Sequence, residues 1–199
     1  MNLATLAGTV VKLTLLMTPF FVLSVFIASC EGWEKKARKA LARRTGIAVM
    51  VICAVIFLFG EMLFRYLGIT LDAFRIGAGL VLMLNGISMV RDTGVPGRKV
   101  EGGDLAVVPL ALPTTVGPGT IGALLVMGAG ASGPERVNGL IAIIFSSVFL
   151  FCVLNYSEVI SRLVKQKGVI ILSKLTGMYL VALAAQIIFD GVNGIVRIN

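Results

Sequence analysis

Six long apolar stretches, separated by short polar links, constrain this chain more than any other feature of its sequence. They cover residues 3–30, 46–64, 71–90, 105–129, 137–156 and 175–196. A helix needs about 20 apolar residues to cross the hydrocarbon core of a bilayer, and each stretch is close to that length or longer. The sequence therefore predicts an all-α integral membrane protein with six transmembrane helices.

The composition supports this class and argues against several functions. Hydrophobic residues make up 57% of the chain and charged residues 14%, with a mean hydropathy of +0.98, whereas soluble domains carry about 25% charged residues. The net charge of +8 is spread over the links rather than along one face, which argues against a nucleic-acid partner. Without His, and with three widely spaced Cys, we expect no metal site and no cofactor. No nucleophile with a base and no paired carboxylates can be assembled, so we do not expect an enzyme.

Cationic residues are concentrated in alternate links, and this predicts the orientation. The links after the first, third and fifth stretches hold six, three and four of them, whereas the opposite links and the C-terminus hold only Arg65, Arg136 and Arg197. Short cytoplasmic loops of membrane proteins are enriched in Lys and Arg. We therefore expect a multi-pass protein with both termini outside the cytoplasm. The cations on the predicted cytoplasmic side are Lys35, Lys36, Arg38, Lys39, Arg43, Arg44, Arg91, Arg98, Lys99, Arg162, Lys165, Lys167 and Lys174.

A link rich in Gly and Pro divides the chain into two halves of three stretches each. We predict a single transmembrane domain, residues 1–199, with repeat 1 over about 1–92, a flexible cytoplasmic link over about 93–104 and repeat 2 over about 105–199. Two copies with an odd number of helices insert with opposite orientation. A shift of 99 residues lays Arg75–Gly79 over Lys174–Met178, so each copy opens a helix with a cation and a small residue three positions later. Cations also lie at helix ends because long side chains reach the interface, which leaves the match open to a simpler explanation.

The fourth stretch is interrupted. Three prolines and two glycines lie within its sequence VPLALPTTVGPGTI, and each proline removes a backbone donor and disrupts the helix before it. Counting about 1.5 Å per residue from Leu105 puts Pro118 about 20 Å deep, near the bilayer centre. Irregular backbone at this depth is tolerated only inside protein or beside a wet cavity. A proline kink covered by neighbouring helices is the alternative.

The interruption predicts a binding site for a small zwitterion. The start of a helix offers free N–H groups to a carboxylate, and freed carbonyl groups suit an ammonium group or a cation. A weaker irregularity at Thr18 and Pro19 in the first stretch would face the break if the two stretches are related by symmetry. The predicted substrate-binding residues are Thr18, Pro19, Pro113, Thr114, Thr115, Gly117, Pro118, Gly119 and Thr120.

Several ionisable and polar residues fall within the apolar stretches, where such groups are costly and become functional candidates. Asp72 and Arg75 are three residues apart and able to pair, either as an interfacial ion pair or as part of a coupling mechanism. The candidates for polar or coupling roles are Glu61, Asp72, Arg75, Asn85, Gln186 and Asp190. Small residues have a separate explanation, because Gly77, Gly79, Gly86 and Gly177 let membrane helices approach closely.

Two segments, LDAFRIGAGLVLML and VVPLALPTTVGPGTIGALLV, resemble the MarC family of bacterial and archaeal inner-membrane proteins. The resemblance covers essentially the whole chain and implies a 3 + 3 inverted repeat with helices 1 and 4 interrupted. It also implies transport of glycine, alanine or similar solutes by some members. This chain departs from the family in its first stretch, where Thr18-Pro19-Phe20-Phe21 stands in place of a run with a Gly, an amide and a second Pro.

We therefore predict a secondary transporter of a small neutral amino acid, working by alternating access and coupled either to Na⁺ or to H⁺. The alternatives are a non-transporting membrane scaffold or sensor of the same fold and an exporter of another small polar solute. The expected surroundings are the lipid bilayer, and assembly into a homo-oligomer is left open.

Overall fold

A computed structural model describes residues 3–30, 32–91 and 115–198, and all regular structure within them is helical. The predicted link over 93–104 and the first part of the fourth stretch lie outside these residues. The seven described helices are α1 (Leu3–Leu16), α2 (Pro19–Ser29), α3 (Lys35–Leu67), α4 (Leu71–Arg91), α5 (Pro118–Ala129), α6 (Gly133–Asn155) and α7 (Ser157–Ile198).

Five helical stretches are long and apolar enough to cross a membrane: Leu3–Ser29, Lys35–Gly60, Leu71–Arg91, Gly133–Asn155 and Lys167–Val196. The first of them contains both α1 and α2, and α5 is a shorter apolar helix. The multi-pass helical class is confirmed. A sixth complete span stays a prediction, because residues 92–114 lie outside the described residues.

Two helices extend far beyond the apolar stretches from which they were predicted. α3 begins at Lys35 rather than near residue 46, and α7 runs unbroken from Ser157 through the predicted link over 157–174. At 1.5 Å per residue α7 is about 60 Å long, twice the thickness of the hydrocarbon core. Both helices therefore include polar segments that link the predicted apolar stretches, since Lys and Arg are good helix formers and polarity alone does not end a helix.

The largest interface between described helices joins α4 and α7, which run antiparallel. Gly79 lies against the backbone of Ala184, and Gly86 lies against Gly177. Small residues allow this approach where no hydrophobic force draws helices together. Gly77 has no neighbouring atom within 4 Å of a Cβ built on it, so its predicted packing role was wrong.

α3 and α4 hold α5 in place. The largest contacts of α5 are with these two helices. A Cβ on Gly60 of α3 would lie 2.9 Å from the Leu125 carbonyl oxygen, and one on Gly119 would lie 2.9 Å from the Leu82 Cα in α4. The first turn of α5 is therefore positioned by direct contact with the α4 backbone.

Many large apolar side chains face outwards, among them Leu84, Phe145 and Leu163, which are 67%, 59% and 82% exposed. An exposed apolar surface of this extent does not suit water. It fits a helical bundle whose outer face contacts lipid.

Candidate functional site

The first apolar stretch is broken between α1 and α2. α1 ends at Leu16, α2 begins at Pro19, and Met17 and Thr18 join them. Because Pro19 has no N–H, the helical bond pattern cannot continue through this point. The Thr18 N–H donates a hydrogen bond of 3.0 Å to the Leu15 carbonyl oxygen. The next described backbone hydrogen bond runs from the Val22 N–H to the Thr18 carbonyl oxygen. The predicted irregularity at Thr18 and Pro19 is thus an interruption.

Thr18 has a left-handed backbone conformation, with φ 47° and ψ 55°. No other non-glycine residue in the described chain has a positive φ. A left-handed residue other than Gly costs about 1–2 kcal/mol, and a β-branched one is unusual there. Strain of this kind persists where the surroundings impose it, often at functional sites. Thr18 is buried, with 7% of its surface exposed, which fits such an imposed conformation.

A second interruption precedes α5. This helix begins at Pro118, with Gly117 in extended conformation at φ −78° and ψ 174° and no side chain capping the helix. Thr115 and Val116 are buried before it, at 1% and 0% exposure. The predicted break is present at this end of the fourth stretch. Pro113 and Thr114, which we also predicted as binding residues, lie outside the described residues.

The two interruptions lie side by side. The Thr120 hydroxyl of α5 donates a buried hydrogen bond of 3.1 Å to the Leu16 carbonyl oxygen at the end of α1. Thr120 is 6% exposed and Leu16 is 1% exposed. The interrupted backbone of α1 is therefore partly satisfied by the helix that restarts opposite it.

Helices α2 and α5 both start at this place, and both start in the same way. Each has proline at its first position and no side-chain cap. The first N–H groups of a helix have no partner within the helix. The N–H groups of Phe20, Phe21, Gly119 and Thr120 have no backbone acceptor in the described part of the chain. Two positive helix ends at one buried place favour an anionic group.

Helix α4 places a polar side chain, that of Asn85, beside the start of α5. A Cβ built on Gly119 would lie 3.2 Å from the Asn85 amide nitrogen. Among the predicted polar or coupling residues whose side chains the structure describes, Asn85 is the one that lies beside the α5 start.

The other predicted residues lie elsewhere. Arg75 and Asp72 form an ion pair with an N–O distance of 2.6 Å, and the Gln186 amide donates to Asp190 at 3.1 Å. Asp72 packs against Gly191 and Gly194 of α7, so the pair lies at the opposite end of α4 from Arg91. Ten residues of helix separate Asp72 from Leu82, about 15 Å along the axis. Glu61 lies in α3, and its side chain is outside the described part.

Sequence reasoning missed a group of hydroxyls that joins α1 to α6. The Thr14 hydroxyl donates to the Ser146 hydroxyl at 3.1 Å, and Ser146 donates to the Val10 carbonyl oxygen at 3.1 Å. Ser146 is fully buried. No spacing in the sequence links residues 132 positions apart, whereas Pro19 and Pro118, separated by 99 residues, carried a detectable signal for the paired breaks.

Comparison with known proteins gives matches along almost the whole chain. The family described as "MarC family integral membrane protein" matches residues 3–196. The UPF0056 membrane protein MJ1677 of Methanocaldococcus jannaschii is 33% identical over 187 residues, covering 90% of this chain and 91% of that protein. The UPF0056 inner membrane protein YhgN of Escherichia coli is 29% identical over 189 residues, covering 92% and 93%. The UPF0056 membrane protein YvbG of Bacillus subtilis is 26% identical over 196 residues, covering 92% of each. No solved structure matches.

Proposed function

This chain belongs to the MarC family of integral membrane proteins, and we propose that it is a secondary transporter of a small neutral amino acid such as glycine or alanine. The names of its relatives state a membrane location and no substrate. The proposal therefore rests on the two interruptions. The observation that carries it is the hydrogen bond from Thr120 to the Leu16 carbonyl, which holds two uncapped helix starts at one buried place.

A zwitterion matches the chemistry of this place. Its carboxylate suits the N–H groups at the starts of α2 and α5. Its ammonium group suits carbonyl oxygens at the end of α1, where Pro19 cannot supply a donor. Leu16, Met17 and Val116 around the break are almost fully buried. Such close apolar packing favours a solute with a very small side chain.

Alternating access follows from the proposed inverted repeat. The equivalent helices of the two halves pack together, α4 with α7 and α3 with α6. The interrupted helices restart at Pro19 and Pro118, 99 residues apart. These relationships support a pseudo-two-fold arrangement in which one half rocks against the other around a fixed central site.

We propose that a coupling Na⁺ binds at backbone oxygens rather than at Asp72 or Asp190, whereas coupling to H⁺ would require a titratable carboxylate. Asp72 is paired with Arg75, about 15 Å along α4 from the α5 contact. Asp190 is exposed and accepts a hydrogen bond from Gln186. Carbonyl groups freed by an interrupted helix are a recurring site for Na⁺ in transporters.

Uptake into proteoliposomes tests the proposal. The purified chain is reconstituted, and labelled glycine, alanine and serine are supplied with Na⁺ and pH varied. Asn85→Leu removes the amide beside Gly119 and should reduce uptake at least tenfold. Gln186→Leu removes an amide whose hydrogen bond, within the described residues, is to Asp190, and it should leave uptake near the level of the unmodified chain. Absence of flux and of binding over a wide amino acid panel would defeat the amino acid proposal, with export of another small polar solute as the version to test next.

A membrane scaffold or sensor is the competing function, and the exposed cationic start of α3 is the feature that favours it. Lys35, Lys36 and Lys39 lie in the first turns of this helix, and their side chains are exposed. A scaffold predicts that Pro118→Ala leaves the cellular phenotype intact while neutralising residues 35–44 abolishes it. A transporter predicts the reverse order of severity.

A further inference from the structure

A cavity lies at the end of the molecule where α2 stops and α3 and α7 begin. Its volume is about 340 Å³. The candidate spans Leu3–Ser29, Lys35–Gly60 and Gly133–Asn155 all have an end here, so the cavity lies at a membrane boundary. The break between α1 and α2 is at the other end of α2. The polar residues that line the cavity are Lys35, Arg38, Ser157, Glu158, Ser161 and Arg162.

The cavity has an excess of positive charge. It contains three cationic side chains and one carboxylate. Arg38 forms an ion pair with Glu158 at 3.0 Å, and Lys35 is 3.9 Å from the same carboxylate. The Lys35 side chain is 80% exposed and is held loosely, and no ion pair of Arg162 is present in the described part of the chain. Two positive charges therefore remain after Glu158 is counted.

A buried hydroxyl adds a donor to these charges. Ser157 lines the cavity, is 4% exposed and carries a hydroxyl that can donate a hydrogen bond. Ser157 is also the first residue of α7, so N–H groups of that helix start at the same place. The Ser157 hydroxyl, the helix start and the excess positive charge all favour one kind of ligand, an anion with several acceptor oxygens.

The remaining lining is apolar. Phe26 and Ile27 of α2 contribute to the wall, and Ile27 is 37% exposed. A wall that is cationic on one side and apolar on the other matches the headgroup region of a phospholipid. Basic pockets between helices on the cytoplasmic side are the places where anionic headgroups bind. The charge distribution predicts that this end of the molecule faces the cytoplasm.

We propose that this cavity binds a phosphate group carried by an anionic phospholipid. Lys35 and Arg162 supply the charge, Ser157 and Ser161 donate hydrogen bonds, and Arg38 stays anchored by Glu158 and by the Trp33 carbonyl oxygen at 3.1 Å. The site bridges α2 and α3 with α7. It is separate from the proposed solute site and does not depend on transport.

Lipid retention by the full chain tests this site. The chain is reconstituted in nanodiscs of phosphatidylcholine containing a minor fraction of phosphatidylglycerol, and bound lipid is counted by native mass spectrometry. The double variant Lys35→Gln/Arg162→Gln should lose about tenfold or more of its preference for phosphatidylglycerol, since each cation near the surface contributes to anionic lipid binding. The control Lys36→Gln/Lys167→Gln makes the same change in net charge on the same two helices, outside the cavity lining, and should keep the preference.

A second arm separates lipid from free anion. Inorganic phosphate is added to lipid-depleted protein in detergent, and thermal stability is measured against the same concentration of chloride. Ser157→Ala keeps every charge and should weaken phosphatidylglycerol binding several-fold, which guards against a folding defect in the double variant. Equal lipid retention by the two double variants overturns the site. If inorganic phosphate stabilises the protein but phosphatidylglycerol is not preferred, the proposed phospholipid is wrong and the ligand of the cavity is free phosphate.

Discussion

Gly86 of α4 and Gly177 of α7 contact each other reciprocally. A Cβ on Gly86 would lie 2.8 Å from the Gly177 carbonyl oxygen, and a Cβ on Gly177 would lie 2.9 Å from the Gly86 carbonyl oxygen. A Cβ on Gly79 would lie 3.1 Å from the Ala184 carbonyl oxygen, and a shift of 98 residues exchanges the residue positions of the two contacts. This symmetry supports the predicted inverted repeat, at a register one residue from the one found in the sequence.

Gly86→Ala should destabilise the protein by about 1–3 kcal/mol, because an added methyl group would overlap backbone that has no free space. Gly77→Ala is the matched control on the same helix, since its Cβ would meet no atom within 4 Å. It should be neutral or slightly stabilising, as Ala is the better helix former. Thermal unfolding in detergent measures both. An equal loss of thermal stability in Gly86→Ala and Gly77→Ala would contradict the close approach of α4 and α7.

The Thr18→Gly variant should be more stable than the Thr18→Ala variant by about 1 kcal/mol. This order is the reverse of the usual one, because Ala normally stabilises a helical segment more than Gly does. Both variants remove the buried side chain, and only Gly relieves the left-handed backbone at φ 47°. Chemical denaturation of the two variants gives the comparison. If Ala is the more stable replacement, the chain at this position is not left-handed in solution.

The sequence was informative where a residue type has one strong structural consequence. Pro19 and Pro118 each lack an N–H, so breaks at both places could be predicted, and both helices begin at these residues. The apolar stretches predicted an integral membrane protein because a run of about 20 apolar residues is long enough to cross a bilayer as a helix. Hydropathy reports where the bilayer ends, however, and not where a helix ends, which is why the helical starts of α3 and α7 were missed.

Other features depend on contacts that no local pattern encodes. Gly77 and Gly79 look alike in the sequence, and which of them packs against α7 is decided by the rotation of α4. Thr18 carries no signal for a left-handed conformation, since β-branched residues avoid it. The hydrogen bond from Thr120 to Leu16 joins residues 104 positions apart. The contact that joins the two breaks therefore depends on how the helices pack, which the sequence alone does not give.

Asp72→Asn should cost less than about 1 kcal/mol, because the pair with Arg75 is partly exposed and solvent or headgroups screen it. If the pair is interfacial rather than part of the coupling mechanism, uptake in proteoliposomes should persist in this variant. Asp190→Asn is the control, since Asn still accepts the hydrogen bond from Gln186. Complete loss of uptake with Asp72→Asn alone would indicate a coupling role.

The predicted orientation places the loop between α5 and α6 outside the cell and the start of α3 in the cytoplasm. In a cysteine-free background, Gly133→Cys should react with a membrane-impermeant maleimide in intact cells, because Gly133 is exposed with no atom near its Cβ position. Lys36→Cys should react only after the membrane is permeabilised. The opposite pattern would reverse the topology and move the phosphate cavity to the outer leaflet.

Thr120→Val replaces a buried hydroxyl with a methyl group of similar size and leaves the Leu16 carbonyl without its donor. The unpaired carbonyl and the lost hydrogen bond should together cost about 1–2 kcal/mol. Thr176→Val is the control, because that hydroxyl is also buried but bonds the Leu172 carbonyl within its own helix. It should cost less than about 0.5 kcal/mol, since the Leu172 carbonyl is also the acceptor of the helical backbone bond.

The same pair of variants separates stability from function. If Thr120 holds the two helix starts together around a solute, stabilisation by glycine or alanine should weaken in Thr120→Val and recover in Thr120→Ser, which restores the donor. Thr176→Val should respond to the solute like the unmodified chain. A full ligand response in Thr120→Val would mean that the solute does not meet the protein where α1 ends and α5 begins.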